Sequence, residues 1–319
     1  MSERDTGTRV GRRLYLGWDV GGWLGKTDGL AAFIFGHGGT LLRRIPGKMV
    51  SLWKEYDGRR WTLEKFIRLL DPQLLLDRFD RVVLAIDAPL GLPQRFIRAV
   101  TSEISKVPEP EYNVEKIMEA RLAFRVTDRL IAKRFDVKPL SPSLDRATNN
   151  GSKARSACAE FIRELPKMAV PPFRKDEPGQ TRFVAIEVNP DVWWSEKWIN
   201  FTSSCIPESE REGDAKEAAT CALNALWYDI AASGIAKGRF PLLPPVDPVA
   251  TPAPEIIPKN LLPENLGEYD PEATPGDRDA ILQEGWIYAP DLERVAVAPP
   301  VAPSFPAPGS PSGSAPPPP

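Results

Sequence analysis

RVVLAID (81–87) is an unbroken apolar run with two adjacent valines, closed by an aspartate and then by APLGLP (88–93). A run without polar alternation is what a strand covered on both faces requires, and the proline-glycine punctuation after it stops the strand. FVAIEV (183–188) repeats the pattern, with Glu187 near its end and Asn189-Pro190 closing it. Two such strands imply a sheet with helices on both faces, joined by helical crossovers.

Working outward, RLYLGWD (13–19) reads as a strand that ends at Asp19 before Gly21 and Gly22. LAAFIFG (30–36) and TLLRRIP (40–46) are separated by a few Gly and His residues, a hairpin signal, so the first three strands form an antiparallel meander. In WTLEKFIRLLD (61–71), Leu63, Phe66, Ile67 and Leu70 recur at helical spacing, with Thr62 as N-cap and Pro72 past the end. Ile117, Leu122, Val126 and Leu130 predict a long amphipathic helix over 114–135; a shorter one covers 153–165, and an Ala-rich one runs from Asp214 to about Ser233. The expected class is α/β: a mixed sheet with three antiparallel strands first, parallel strands later, and flanking helices.

The chain has 319 residues, enough for a large core, and 42% hydrophobic with 26% charged residues excludes wholesale disorder. No apolar run reaches the roughly 20 residues of a spanning helix, and MSERDTGTRVGRR lacks a secretory signal, so a cytoplasmic protein without membrane contact is expected. One domain is expected over 13–290, after a flexible segment 1–12. Within it, 241–283 is a Pro-rich segment that wraps the domain, and EGWIYAP (284–290) packs back onto it. Almost half of the residues from Pro299 on are proline, so 291–319 is expected to be a disordered tail, able to recruit a protein partner.

Cys158, Cys205 and Cys221 form no CxxC pair, which argues against disulfides or a zinc knuckle. His37 is the single histidine and sits in the turn-like GHGGT, so histidine-based catalysis has little to draw on. Carboxylates are the better carriers. Asp19, Asp87 and Glu187 each end an apolar strand and Asp214 opens a helix with Glu217 three residues on, so these acids can gather at one end of the sheet. Stranding anions beside a core is costly, and a divalent cation is the simplest compensation. Oxygen ligands select Mg²⁺ or Mn²⁺, and two such ions about 4 Å apart suit phosphodiester hydrolysis. Arg125, Arg129 and Lys133, with Lys153 and Arg155 behind them, are the candidates for holding phosphates of a nucleic acid.

Each residue also has a structural reading. Asp19 and Asp87 suit turns, Glu187 suits an ion pair with an arginine, and Asp214 with Glu217 resembles a capping box. Trp193, Trp194 and Trp198 suit stacking on bases, but also core packing. A net charge of −2 leaves the partner open.

Taken in order, GWDVGGW (17–23), AIDAPLGLP (85–93), RVTDR (125–129), IEVNPD (186–191), GDAKEAATCALNAL (213–226) and EGWIYAP (284–290) resemble the DUF429 family of predicted nucleases with a ribonuclease-H-like fold. The resemblance spans about residues 13–290 and implies a metal-dependent nuclease site at Asp19, Asp87, Glu187 and Asp214. In that family the last helix commonly opens with His-Asp and a second Asp three residues on; here those positions are Gly213, Asp214 and Glu217, and Thr127 stands where a cysteine is usual before Asp128. A magnesium- or manganese-dependent nuclease acting on DNA or RNA is therefore the leading expectation. The alternatives are a non-catalytic binding or regulatory module on the same fold, and a phosphotransferase of the actin-like ATPase and sugar-kinase kind, which WDVGGW also suggests.

Overall fold

The computed structural model describes residues 11–23, 27–36, 39–52, 60–103, 105, 121–138, 141–143, 146–170, 181–195, 198–232, 255–256, 275–284, 287–288 and 290–291. His37, residues 114–120 of the expected long helix, most of the Pro-rich segment and the tail beyond Asp291 lie outside the described residues.

Six strands form a mixed sheet: β1 (Arg13–Asp19), β2 (Asp28–Phe35), β3 (Leu41–Val50), β4 (Arg81–Asp87), β5 (Phe183–Val188) and β7 (Ile287–Tyr288), in the spatial order β3-β2-β1-β4-β5-β7. The first three pair antiparallel, whereas β4 runs parallel to β1, β5 to β4, and β7 to β5. The expected meander and the two buried parallel strands are present. A separate two-stranded ribbon joins β6 (Glu255–Ile256) to β8 (Pro290–Asp291).

Strand alternation divides the core in two. Tyr15, Phe33, Val83, Ala85, Val184 and Ile186 belong to one cluster, with Ala218, Ala222 and Leu226 of the long helix α6 (Gly213–Ala232). Leu14, Leu16, Trp18, Leu84 and Ala185 belong to the other, under α1 (Leu63–Leu70) and α4 (Arg146–Glu164). Thr62 caps α1 as expected, its hydroxyl accepting from the Lys65 N–H at 3.1 Å.

Helix α6 lies almost on the sheet backbone. A Cβ at Gly17 of β1 would stand 1.9 Å from the Ala218 carbonyl oxygen, one at Gly29 of β2 2.2 Å from that of Asp214, and one at Gly47 of β3 2.3 Å from that of Ala215. Three neighbouring strands thus each give a glycine, and the helix supplies alanines, so its start is held close above the strand ends.

Two helices differ from expectation. Among the described residues, the helix expected over 114–135 begins only at Val126 (α3, Val126–Phe135), because residues 121–123 are a turn and Asp128 accepts the Arg125 N–H at 2.8 Å, capping the start there. Conversely, α4 starts seven residues before 153. Its first turns read as loop because of Asn149, Asn150 and Gly151, but Gly151 is needed where the helix crosses Pro89: a Cβ there would meet the Pro89 oxygen at 2.6 Å. Short helices α2 (Gln94–Thr101), α5 (Ile199–Cys205) and α7 (Pro275–Glu284) complete the described helices longer than five residues. No helix among the described residues is long and apolar enough to cross a membrane.

Candidate metal centre

Asp19 and Asp87 are register partners on the adjacent parallel strands β1 and β4. Counting by twos from Tyr15 and Val83, both side chains fall on the α6 face, just past the last apolar residues. Helix α6 brings Glu217 to the same place, one residue before the Ala218 that rides on Gly17. One carboxylate oxygen from each of Asp19, Asp87 and Glu217 lies within 4.8 Å of the others, a spacing that a single cation can span.

These acids load one another. Burial pushes the Asp87 carboxyl well above the usual range, and the charges of Asp19, Glu217, Asp191 and Glu187 push the same way. Beneath them on α6, the Cys221 thiol is fully buried and held well above its usual value, first by burial and then by Asp87, Asp19 and Glu217. Asp191, in the 3-10 turn Pro190–Trp194, contributes to this field and was not marked out in the sequence; it reads there only as part of a turn after β5.

Glu187 lies elsewhere. Its register partner is Ile86, so it faces away from α6 while Asp87 faces toward it. It is 2% exposed and accepts the Leu90 N–H at 2.8 Å and an Arg125 N–H at 2.8 Å, with a second, short bond from the same guanidinium. Arg125 is 1% exposed and also donates to both oxygens of Asp128, at 3.0 and 2.8 Å. Burial works against its charge, but Asp128 and Glu187 outweigh it and hold the guanidinium pKa well above its usual value. Arg125, read in the sequence as a phosphate-binding residue, is thus an internal counter-ion with two buried acids.

Asp214 sits in the first turn of α6 over β2, its carboxylate accepting the Thr27 hydroxyl at 3.0 Å, and is not among the three converging acids. Arg129 is half-buried and Lys133 exposed on α3, which packs on α7 and β7. Lys153 is buried, and its ammonium donates to Asp28 Oδ1 and Oδ2 at 2.8 and 2.7 Å and to the Gly21 carbonyl at 2.9 Å. Trp193 and Trp198 are core residues, packed against Phe201, Trp193 tilted and Trp198 edge-on.

No protein-family model, no curated protein and no solved structure matches the chain. The class to which it can be assigned is the one its own architecture defines: an α/β protein with a six-stranded mixed sheet, flanked by helices, carrying a carboxylate triad where β1, β4 and α6 meet.

Proposed function

We propose that the chain is a divalent-metal-dependent nuclease of ribonuclease-H-like fold, akin to the DUF429 proteins it resembles. The observation that carries this reading is the convergence of Asp19, Asp87 and Glu217 within 4.8 Å. Three carboxylates this close, with Asp87 driven toward protonation first by burial and then by its acidic neighbours, are an arrangement that a cation relieves. All three donors are hard oxygens, which suit Mg²⁺ or Mn²⁺. When bound, such an ion polarises a phosphoryl oxygen and makes a bound water more acidic, so hydrolysis needs no histidine. The strand order β3-β2-β1-β4-β5 with β2 antiparallel supports the fold half of the reading, since two parallel strands and the last long helix then present acids at one end.

Within this reading Asp19, Asp87 and Glu217 hold the ion, and Asp191 supplies further negative field from the next strand's end. Glu187 and Arg125 act one layer behind, tying the APLGLP turn after Asp87 through the Leu90 N–H, and so fix the direction in which β4 delivers its aspartate. Arg129 and Lys133 remain the candidates for the strand's phosphates; DNA and RNA are both open as substrate.

The test is to titrate Mg²⁺ and Mn²⁺ calorimetrically into the protein and its Asp19→Asn/Asp87→Asn double variant, then assay both on labelled single- and double-stranded DNA and RNA. The expected result is metal binding and cleavage lost together in a folded variant. Wild-type protein that binds no ion, or a variant that still cleaves, would sink the reading.

A further inference from the structure

Helix α6 packs against the 3-10 turn Pro190–Trp194 that follows β5, and each of the two carries an acid of the site's field: Glu217 on the helix, Asp191 on the turn. Each also carries one half of a second pair. Trp194 ends the turn, and its indole N–H donates to the Thr220 hydroxyl at 2.9 Å, which itself donates to the Lys216 carbonyl at 2.8 Å. The Lys216 ammonium lies over the same indole, 4.3 Å from the ring centroid. The tryptophan is thus fastened by its edge to one turn of α6, and its face carries the lysine.

The helix sets the direction of Lys216. Successive residues of α6 turn by about 100°. Ala218 rides on the sheet at Gly17 and Glu217 turns toward Asp19 and Asp87, so Lys216, one step further back, projects away from the sheet. It is half-buried and stands on the solvent side of Glu217.

Charge makes this position count. Asp19, Asp87, Glu217 and Asp191 carry more negative charge than one divalent ion cancels, so a loaded centre still repels a phosphodiester. A nearby cation has to offset that repulsion. Arg125 is spent on Glu187 and Asp128, and Lys153 on Asp28. Arg129 and Lys133 stand on α3, which packs on β7, two strands along the sheet from β4. Lys216 adjoins the triad, and among the described residues its ammonium forms no ion pair. It rests on an indole face, a weak hold that a phosphate oxygen can displace.

We propose that Lys216 binds a backbone phosphate of a nucleic-acid strand lying across the Asp19–Asp87–Glu217 centre. The inference rests on the nuclease reading for its ligand class, and on the Lys216–Trp194 geometry for its residue.

The experiment separates binding from cleavage. Fluorescein-labelled oligodeoxythymidine and oligouridine are titrated by anisotropy with the full chain, Ca²⁺ replacing Mn²⁺, from about 50 to 200 mM KCl. Lys216→Gln is expected to weaken binding about tenfold at the lowest salt. It is also expected to flatten the slope of log Kd against log salt by about 0.7, the share of one single-strand phosphate contact. Lys216→Arg is expected to restore both. In Lys216→Gln the melting temperature is expected to be unchanged and calorimetric Mn²⁺ affinity no weaker than in wild type, since a positive charge has left the neighbourhood of the ion. Wild-type affinity and slope in Lys216→Gln, an equal loss in Lys216→Arg, a lowered melting temperature, or no binding of either strand by wild type would overturn the proposal. Cleavage on adding Mn²⁺ judges the nuclease reading separately. Wild-type cleavage with undiminished binding by Lys216→Gln rejects the proposal and keeps the reading, whereas a slope that depends on Lys216 without any cleavage keeps the contact and rejects the reading.

Discussion

At the scale of single residues, two acids one strand apart have opposite fates because of parity. Asp87 and Glu187 both end apolar runs, yet Glu187 pairs with Ile86, so the two side chains leave the sheet on opposite faces. Sequence shows the run and its terminal acid; it does not show the register between strands about a hundred residues apart, and a slip of one residue inverts every side chain. Asp19 and Asp87 were legible because each follows its run directly. Glu217 was legible as a helix-start acid three residues past Asp214, but which of the two reaches the strands depends on how α6 lies on Gly17 and Gly29. The partner of Arg125 in RVTDR was legible for Asp128 nearby and hidden for Glu187, 62 positions away. Two predictions belong here. Asp87→Asn removes a charge that its surroundings disfavour, so in EDTA at pH 8 the variant is expected to be more stable than wild type by about 1–2 kcal/mol in urea titrations while losing metal binding. A variant less stable than wild type would mean that Asp87 is a structural acid. Arg125→Met leaves Glu187 and Asp128 buried without a cation and is expected to cost about 3–5 kcal/mol, with Arg125→Lys recovering only part, since an ammonium cannot fork to two carboxylates. Denaturation midpoints equal to wild type would refute the clamp.

Among the elements, helix α6 has the most consequence for the site, because it alone carries Glu217 and it is held by missing side chains rather than by present ones. Gly17→Ala places a methyl group 1.9 Å from the Ala218 carbonyl oxygen on a backbone that is fixed from both sides. The helix must lift, and the expected cost is about 3 kcal/mol or more, with weakened metal binding because Glu217 rises with it. Gly47→Ala meets the Ala215 carbonyl oxygen at 2.3 Å on the edge strand β3, where the strand can move outward, so a smaller loss with metal binding retained is expected. Equal losses in thermal melts and calorimetry for the two variants would show that helix seating is not what sets the centre. The strands and α1 were legible because their signals are local: apolar runs, a hairpin, a Thr cap. The starts of α3 and α4 were not, since one depends on Asp128 capping Arg125 and the other on Gly151 passing over Pro89. The Trp193 and Trp198 cluster that sequence made conspicuous is core.

Over the whole molecule, α7 ties two earlier helices together. Glu284, the last residue of α7, is 4% exposed and accepts the Gln94 N–H at 2.8 Å and the Val126 N–H at 2.9 Å, so one carboxylate stops the N-termini of α2 and α3. It adds to an unusual balance. Among the described residues, Asp28, Asp87, Glu164, Glu187 and Glu284 all have raised pKa values, in each case first because of burial, whereas Asp71 is lowered, chiefly by the Gln73 N–H. A carboxyl raised on folding holds a proton that the unfolded chain releases, so its contribution favours folding below the folded pKa and declines as pH rises from the unfolded value through the folded one. Asp71 runs the other way, losing its contribution as pH falls. Five against one predicts that, in EDTA, the melting temperature declines from about pH 5 to pH 8 instead of reaching a plateau, by about 2–4 °C for each kcal/mol lost. Mn²⁺ at pH 8 is expected to recover the part of that decline due to Asp87 and its neighbours, and to recover little in Asp87→Asn, whose decline is already shallower. A melting temperature that rises steadily to pH 8 in EDTA would show that the ion pairs of Glu187 and Asp28 outweigh their burial. A Mn²⁺ effect of equal size in the variant would place the stabilising ion away from Asp19, Asp87 and Glu217.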